Sequence, residues 1–329
     1  MTPPAAPAAP ARPGGAYASL NHPASAPLEE PVSVRRLSTA VAACLLAPTL
    51  AGCGWATEGD RTGSGRAADR TAATAGAGAG HTGNAAADLT ADQRRTADRL
   101  VSVFAHSTTT ISYDSVEDHH DGCGFTAGRA GFCTATGDLA EVVRRYADAV
   151  PGNPLARYLP QLRALAKRSS ADTAPLGPDF ADAWRKAAAD NRFRTVQDTA
   201  VEDLYYGPAL RAARSHGLTS ALAVAVFYDT AIQHGTDVDA DGLPALIEQA
   251  DAQAGGRPGE GVTEGAWLTA LLSVRRADLL HPHNHDRAVD WPESVGRVDA
   301  LQQLVTDRQF DLAPPVTVDP WGDEEFTVS

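Results

Sequence analysis

The sequence is short of positive charge. It contains 28 lysine and arginine residues against 41 aspartate and glutamate residues, which gives a formal net charge of −13 at pH 7. An acidic surface repels the phosphates of nucleic acids and of membrane lipids, so we expect neither nucleic acid nor a bare membrane surface as a partner. The same surface attracts cationic ligands.

The sequence also lacks an apolar run long enough to span a bilayer. The candidate within "VRRLSTAVAACLLAPTLAGCG" is short, follows two arginines and ends in the tetrapeptide "LAGC". This pattern is typical of a signal peptide, which we predict over residues 32–53. The tetrapeptide resembles a bacterial lipobox, in which Cys53 would be lipidated and become the mature N-terminus. A site ending at Cys44 and an ordinary cleaved signal are the alternatives.

Two tracts lack a periodic apolar pattern. Residues 1–31 are rich in proline and alanine, and residues 54–88 are rich in glycine, alanine and threonine. We predict a disordered extension and a flexible linker, respectively, which leaves residues 89–329 as the folded domain. The linker would tether a monomeric extracellular domain to the cell surface, with the lipid as its sole contact with the membrane. A secreted protein is the alternative.

Most of the folded domain has the apolar spacing of helices. The segment "TSALAVAVFYDTAIQHG", residues 219–235, is apolar almost all round, which predicts a buried central helix. Residues 121–136 alone look extended, and we interpret the acidic run at 323–326 as part of a solvated tail. A mainly α protein with one small β patch matches the outline of a lysozyme-like, two-lobed fold with the patch at its cleft.

A series of motifs between Leu89 and Pro315 resembles the family-46 glycoside hydrolases, the chitosanases. In chain order the motifs include "VEDHHDGCGFTAGRAGFCTATGD", "PGNPLARYLP", "YYGPAL", "FYDTAIQHG" and "GRVD". The resemblance implies a lysozyme-like fold and endo-hydrolysis of the β-1,4 linkages of chitosan, a glucosamine polymer, with inversion of configuration. It implies no cofactor and no metal in the active site, and chitosan or a related cationic polysaccharide as the partner.

Inversion needs a general acid for the leaving oxygen and a general base for a water on the opposite face of the sugar. The resemblance assigns the base to Asp121 and the holding of the water to Thr126. It assigns sugar binding to Asp138, and we add Glu117 and Asp118 as acidic neighbours in the same cleft.

The resemblance also implies a charge network behind the site, formed by Asp229, Arg275 and Arg297. By the same resemblance, the glycines of the motif that contains Asp121 would let the backbone approach the substrate, because glycine has no Cβ atom to stand between them. Cys123 stands where the family usually has an arginine that contacts sugar.

The family's general acid is a glutamate near the end of the first helix, and this sequence has no glutamate from Leu89 to Val116. An alignment without a gap places Ala105 there, and a one-residue slip places His106 there. His106 is a candidate donor, although Arg297 nearby would lower its pKa. The alternatives are a catalytically impaired lipoprotein that binds cationic glycans, and a hydrolase of another amino-sugar polymer.

The folded domain has two cysteines, Cys123 and Cys133. Export to an oxidising compartment favours a disulfide between them, and two free thiols are the alternative. A zinc set with His119 and His120 has no recognised ligand spacing, and adjacent side chains on extended backbone point to opposite faces.

Two further segments raise the question of metal. Residues 237–248, "DVDADGLPALIE", match the calcium-loop pattern from Asp237 to Glu248, but Pro244 suits the first turn of a helix, which would leave an ordinary polar loop. Residues 281–286, "HPHNHD", carry three histidines in what we interpret as a solvated loop that could hold metal adventitiously.

Overall fold

A computed structural model of the protein describes residues 88–329. The predicted N-terminal extension, the predicted signal peptide with Cys53 and nearly all of the predicted linker lie outside the described residues. Within them, no helix is both long and apolar enough to cross a membrane.

Helices dominate residues 88–329, as predicted. The α-helices of this part of the chain are α1 (Ala91–His106), α2 (Asp138–Ala149), α3 (Leu159–Ala166), α4 (Phe180–Ala187), α5 (Asn191–Val201), α6 (Gly207–Ser215), α7 (Ala221–His234), α8 (Leu243–Ala254), α9 (Glu264–Leu280) and α10 (Val295–Thr306).

Helix α1 begins with a capping box. Thr90 accepts a hydrogen bond from the backbone of Gln93, and the Gln93 side chain accepts one from the backbone of Thr90. Together these bonds satisfy N–H groups that the first helical turn leaves without partners. The helix ends at Ser107, which has a left-handed φ of 51°. This stop fixes the last turn, which contains Ala105 and His106.

Helix α7 is the predicted central helix, and its burial confirms that prediction. Ser220 caps it by accepting a hydrogen bond from Ala223, and most of its residues are buried. A helix that is apolar on every side can be stable in water when other elements cover it, and α6, α8, α1 and α10 pack against this one.

The sequence pattern predicts one long helix over residues 192–217, but the structure divides it. A π-helical turn, Glu202–Tyr206, separates α5 from α6. Pro208 explains the break, because proline has no N–H to donate and its ring clashes with the carbonyl four residues earlier. The wider turn carries Tyr205, whose hydroxyl reaches the candidate site.

The β patch is a three-stranded antiparallel sheet in the order β1 (Val116–Asp118), β2 (Phe125–Ala127), β3 (Phe132–Cys133). Its first strand lies before the segment predicted to be extended. The register pairs Glu117 with Thr126 and Thr126 with Cys133.

The prediction of a solvated C-terminal tail is wrong. Strands β4 (Val316–Val318) and β5 (Phe326–Val328) form an antiparallel hairpin that packs against α1. The alternating burial of the two strands explains the error, because Phe326 and Val328 are buried while the acidic residues before them are exposed.

Packing divides the elements into two groups. The sheet β1–β3 packs with α2 and α4, and α2 packs with α3 and α5; the other group joins α1 and α6–α10 with the C-terminal hairpin. The continuous segment α5, π turn and α6 connects them. This is the mainly α, two-lobed, lysozyme-like arrangement that the sequence predicts.

Candidate active site

The turn between β1 and β2 presents Asp121. Its Oδ1 accepts a hydrogen bond from the Cys123 N–H at 3.0 Å, which fixes the carboxylate, and its Oδ2 accepts none from residues 88–329. The side chain is half-buried. A carboxylate with one oxygen anchored and one oxygen free has the arrangement that a general base requires.

The two glycines beside Asp121 serve the turn and its packing. Gly122 and Gly124 have φ angles of 79° and 72°, which side chains with a Cβ rarely adopt. A Cβ on Gly124 would lie 2.9 Å from the carbonyl oxygen of Ala171, and one on Gly122 would lie 3.2 Å from that of Asp286. The expectation that these glycines leave room for substrate is therefore wrong, because protein backbone occupies the space.

The Thr126 hydroxyl is buried and has no hydrogen-bond partner within residues 88–329. A buried hydroxyl without a partner is costly unless a water or a ligand satisfies it. Thr126 lies opposite Glu117 across the β1–β2 ladder, and side chains that pair across strands share one face of the sheet. The structure thus places an unsatisfied hydroxyl beside an exposed carboxylate.

The other acidic residues of this strand differ in their freedom. Glu117 is exposed, with His119 Nε2 at 3.8 Å from its carboxylate. Asp118 is engaged: it accepts hydrogen bonds from the backbone of His120 at 3.0 Å and from Thr173 Oγ1 at 3.0 Å. Glu117 is free to meet a ligand, whereas Asp118 holds the turn, which argues against Asp118 as a sugar-binding group.

Asp138 stands at the first position of α2. Its Oδ1 accepts hydrogen bonds from Cys133 N, Thr136 Oγ1 and Leu139 N at 2.7–2.9 Å, and its Oδ2 accepts one from the Tyr205 hydroxyl. Burial raises its pKa, and these four bonds oppose that rise. Tyr205 is a positioning residue that sequence reasoning missed, since nothing in the pattern indicates the π turn that carries it.

Cys123 and Cys133 form a disulfide with a Cα–Cα distance of 5.3 Å. It joins the Asp121 turn to β3, which decides the open question of pairing. The bond also removes both thiolates from the zinc set considered with His119 and His120, which interact instead with Glu117 and Asp118, respectively.

The predicted charge network forms behind the site. Asp229 is 2% exposed and accepts hydrogen bonds from Arg275 at 2.6 Å and from Arg297 at 2.7 Å. Burial alone would raise the pKa of Asp229, but the two guanidinium groups hold it below its ordinary value. Gln233, which the sequence did not indicate, accepts a hydrogen bond from Arg297.

Asp229→Asn should destabilise the fold by about 3–5 kcal/mol, because it leaves two buried guanidinium groups without a countercharge. Since the pKa of Asp229 is lowered on folding, its contribution is present above the ordinary carboxyl pKa of 3.8 and is lost as the pH falls. Urea unfolding measures the change. Asp182→Asn is the control, since Asp182 forms an exposed pair with Arg185 and should matter little. A loss below 1 kcal/mol for Asp229→Asn would contradict the assignment.

The last turn of α1 borders this network. The Phe104 ring lies 5.6 Å from the Arg297 guanidinium, and Ala105 is half-buried next to it. His106 Nε2 lies 3.2 Å from the Gly128 carbonyl. Burial lowers the pKa of His106, and Arg297 contributes in the expected direction as a smaller cause. A neutral imidazole that donates its N–H to a carbonyl is a poor proton donor to a substrate, so this geometry argues against His106.

Asp290 is a second carboxyl group that sequence reasoning missed. It is half-buried after α9, and burial raises its pKa, with the charges of Asp121 and Glu293 adding to the rise. Because the charge of Asp121 contributes to this rise, the Asp290 carboxyl lies within electrostatic range of Asp121. No local motif signals this, because the two residues are far apart in sequence.

The calcium-loop pattern does not form a calcium loop. Helix α8 begins at Leu243 with Pro244 in its first turn, as the alternative predicts, and Glu248 is exposed on that helix. Asp241 accepts hydrogen bonds from the backbone of His283 and of Asn284, both at 2.8 Å, so it faces away from the loop pattern toward the histidine loop.

Comparison with known proteins connects this geometry to one family. The model of glycosyl hydrolase family 46 matches residues 99–316. A chitosanase of Bacillus subtilis strain 168 is 48% identical over 233 residues, which is 71% of this chain and 84% of that protein. A chitosanase of Streptomyces sp. strain N174 is 35% identical over 212 residues, covering 64% of this chain and 72% of that protein.

Solved structures agree with the sequence matches. A glutamate-to-alanine mutant of a Bacillus subtilis MY002 chitosanase, complexed with 6 GlcN, superposes with a TM-score of 0.71 at 47% identity, over 73% of this chain and 100% of that one. A Gynuella sunshinyii family-46 chitosanase in complex with chitotetraose gives a TM-score of 0.71 at 41% identity, over 73% of this chain and 99% of that one.

Proposed function

Because the chain belongs to glycosyl hydrolase family 46, we propose that it is an endo-chitosanase that cleaves β-1,4 glucosamine linkages with inversion. Chitosan carries protonated amines, which suit the formal net charge of −13 and the acidic residues around the β1–β2 turn. The solved relatives with bound GlcN and chitotetraose support this substrate class.

The observation that carries the proposal is a carboxylate with a free oxygen, Asp121, in the same β patch as the unpartnered hydroxyl of Thr126. Asp121 has one oxygen anchored on the Cys123 N–H and one free, and the Thr126 hydroxyl is buried without a partner. A water between them would donate one hydrogen to the free oxygen and satisfy the hydroxyl with its other bonding sites. Asp121 would then remove the proton as the water attacks the anomeric carbon from the face opposite the leaving oxygen.

Asp138 and Glu117 are the groups we assign to sugar amines. The Oδ2 of Asp138 accepts one bond from Tyr205 and keeps a lone pair for a further donor, while Glu117 is exposed on the sheet face of Thr126. An ammonium group of glucosamine would gain a charge-assisted hydrogen bond at either carboxylate. Asp229, Arg275 and Arg297 support the site from behind.

The leaving oxygen still needs a proton, and Ala105 has none to give. Among the described residues, His106 has a lowered pKa and its Nε2 lies 3.2 Å from the Gly128 carbonyl, whereas Asp290 has a raised pKa to which the charge of Asp121 contributes. We therefore propose slow turnover of chitosan by this chain, with tight substrate binding retained, since loss of one acid removes rate and leaves binding contacts in place.

The test is reducing-end release from chitosan by the purified full chain beside a chitosan-binding titration. A falling viscosity early in the reaction would report internal cleavage, and proton NMR of the first products would report the anomer and thus inversion. Binding with no release at high enzyme concentration would instead favour the glycan-binding function. Release from peptidoglycan in place of chitosan would overturn the substrate assignment.

We further propose export and attachment through Cys53, which lies outside the described residues. Cys53→Ser should move the protein from the membrane fraction to the medium, because a lipid anchor on that thiol would be lost. Cys44→Ser is the matched control and should leave the membrane fraction unchanged. Persistent membrane attachment of the Cys53 variant would contradict this assignment, and loss of attachment on Cys44→Ser would move it to the earlier cysteine.

A further inference from the structure

The proposed function leaves two metal-like sequence segments unused, and the fold brings them together. Asp241 comes from the loop of residues 235–242 between α7 and α8, and His283 comes from the histidine loop, residues 281–287, after α9. Asp278 joins them from the last turn of α9. One potential ligand atom from each of the three lies within 4.8 Å of the others.

The potential ligand atoms of these three side chains lie close to one another. His283 Nδ1 lies 2.9 Å from Asp241 Oδ1 and 3.7 Å from Asp278 Oδ1. Zinc binds imidazole nitrogen and carboxylate oxygen at about 2.0–2.2 Å, so neighbouring ligand atoms around it are about 3–3.5 Å apart. The ligand atoms of Asp241 and Asp278 lie within 4.8 Å of each other, so the three side chains would move closer together around one ion.

Few positively charged side chains of the described residues neutralise the Asp241 and Asp278 carboxylates. Within residues 88–329, neither Asp241 nor Asp278 forms an ion pair with lysine or arginine; their ion-pair partners there are His234 and His283. Asp278 has a side chain 4% exposed, and its Oδ2 accepts no hydrogen bond. A buried carboxylate that has an oxygen without a hydrogen-bond donor and lies beside a second carboxylate is stabilised by a nearby cation.

His234 does not supply a positive charge to these carboxylates. Its Nδ1 lies 3.1 Å from the carbonyl oxygen of Asp241, which accepts the ring hydrogen, and 3.3 Å from Asp278 Oδ2. The His234 side chain is fully buried, and its Nε2 has no hydrogen-bond partner within residues 88–329. His283 is different, because its side chain is 64% exposed and the backbone bond from its N–H to Asp241 fixes the ring beside the carboxylates.

We propose that Asp241, Asp278 and His283 form a binding site for a zinc-class divalent cation. Two carboxylates and one imidazole suit such an ion better than calcium, which prefers six to eight oxygen ligands. Nδ1 of His283 binds in the tautomer that carries its proton on Nε2. The exposure of His283 leaves room for a water as the fourth ligand.

A bound ion would link the histidine loop to α9 and to the loop that precedes α8. That loop packs against the Asp121 turn: the Asp286 carbonyl occupies the space where Gly122 lacks a Cβ, and Arg287 Nη1 lies 3.3 Å from Cys123 Sγ. The site is thus structural, and it acts on the segment that supports the base. It does not depend on turnover, so its test is independent of the proposed function.

The experiment is calorimetric titration of the chelator-treated full chain with Zn²⁺, in parallel with thermal unfolding. We expect saturable binding of one ion per chain and an increase in Tm when zinc is present. His283→Ala should weaken binding by at least about tenfold and abolish the increase in Tm. His285→Ala is the matched control, an exposed histidine of the same loop outside the cluster, and should bind zinc as the parent does.

Asp278→Asn tests whether zinc binding depends on the carboxylates of the cluster and not on the histidine loop alone. It should also weaken zinc binding at least about tenfold. Circular dichroism checks that the variant is folded. Absence of saturable binding by the folded parent would overturn the proposal and indicate a shared proton between the two carboxyls. Equal losses in His283→Ala and His285→Ala would overturn it too, because they indicate adventitious capture by exposed histidines. Calcium that displaces zinc would overturn the choice of ion.

Discussion

Ala105→Glu should raise the rate of chitosan hydrolysis by at least tenfold, and by about 10²–10⁴-fold if the new carboxyl is fully effective as an acid. Ala105 is half-buried in the last turn of α1, next to Phe104, whose ring contacts Arg297. The Nε–H of Arg297 is buried and donates no hydrogen bond within residues 88–329. A carboxyl at position 105 would therefore meet a guanidinium group that has bonding capacity to spare.

Two variants make this test specific. Ala105→Gln has the same shape as the glutamate without a carboxylic proton, and it should leave the rate near that of the parent. His106→Glu tests the alignment that slips by one residue; the more active of the two glutamate variants identifies the register. The assay is reducing-end release at saturating chitosan, so that a change in binding does not mimic a change in chemistry.

The outcome that would contradict this prediction is a parent that turns over briskly and gains nothing from either glutamate. The acid would then lie elsewhere in the chain. Asp290 is the carboxyl to examine first, since its pKa is raised by burial and by the charge of Asp121. A loss of activity on Asp290→Asn would identify it as the donor, since a raised pKa keeps a carboxyl group protonated and able to donate.

The local sequence predicts the structure well where a single helix or strand determines the conformation. The apolar residues on every side of α7 predict a buried helix, and the structure confirms it. The network of Asp229, Arg275 and Arg297 was placed by the family resemblance, since its members come from three helices with no local pattern in common.

The sequence does not predict the contacts that form between residues distant in the chain. The contact of Tyr205 with Asp138 depends on a π turn that Pro208 forces, and the approach of Asp290 to Asp121 depends on the loop after α9. For residues 237–248, Pro244 favoured an ordinary polar loop over a calcium loop, and the start of α8 at Leu243 agrees with that choice. Asp241 consequently meets His283 instead of Glu248.

Asp121→Asn should abolish hydrolysis while chitosan binding stays within a few-fold of the parent. The amide keeps the shape of the carboxylate and can still accept the Cys123 N–H at Oδ1, so the turn should hold. It cannot remove a proton from water, and loss of a general base costs about 10²–10⁴ in rate. The change is best measured in the Ala105→Glu protein, where a higher starting rate widens the measurable range.

Asp118→Asn is the matched control for this variant. Asp118 is an aspartate of the same segment, and it also caps a turn by accepting a backbone N–H, from His120. It shares the charge change and the structural role, so it should lose a little stability and keep most of the rate. If Asp118→Asn costs as much activity as Asp121→Asn, then the geometry of the turn, and no proton transfer at Asp121, accounts for both losses. If hydrolysis by Asp121→Asn persists within a few-fold, the base is another group, and the free oxygen of Asp121 serves substrate binding instead.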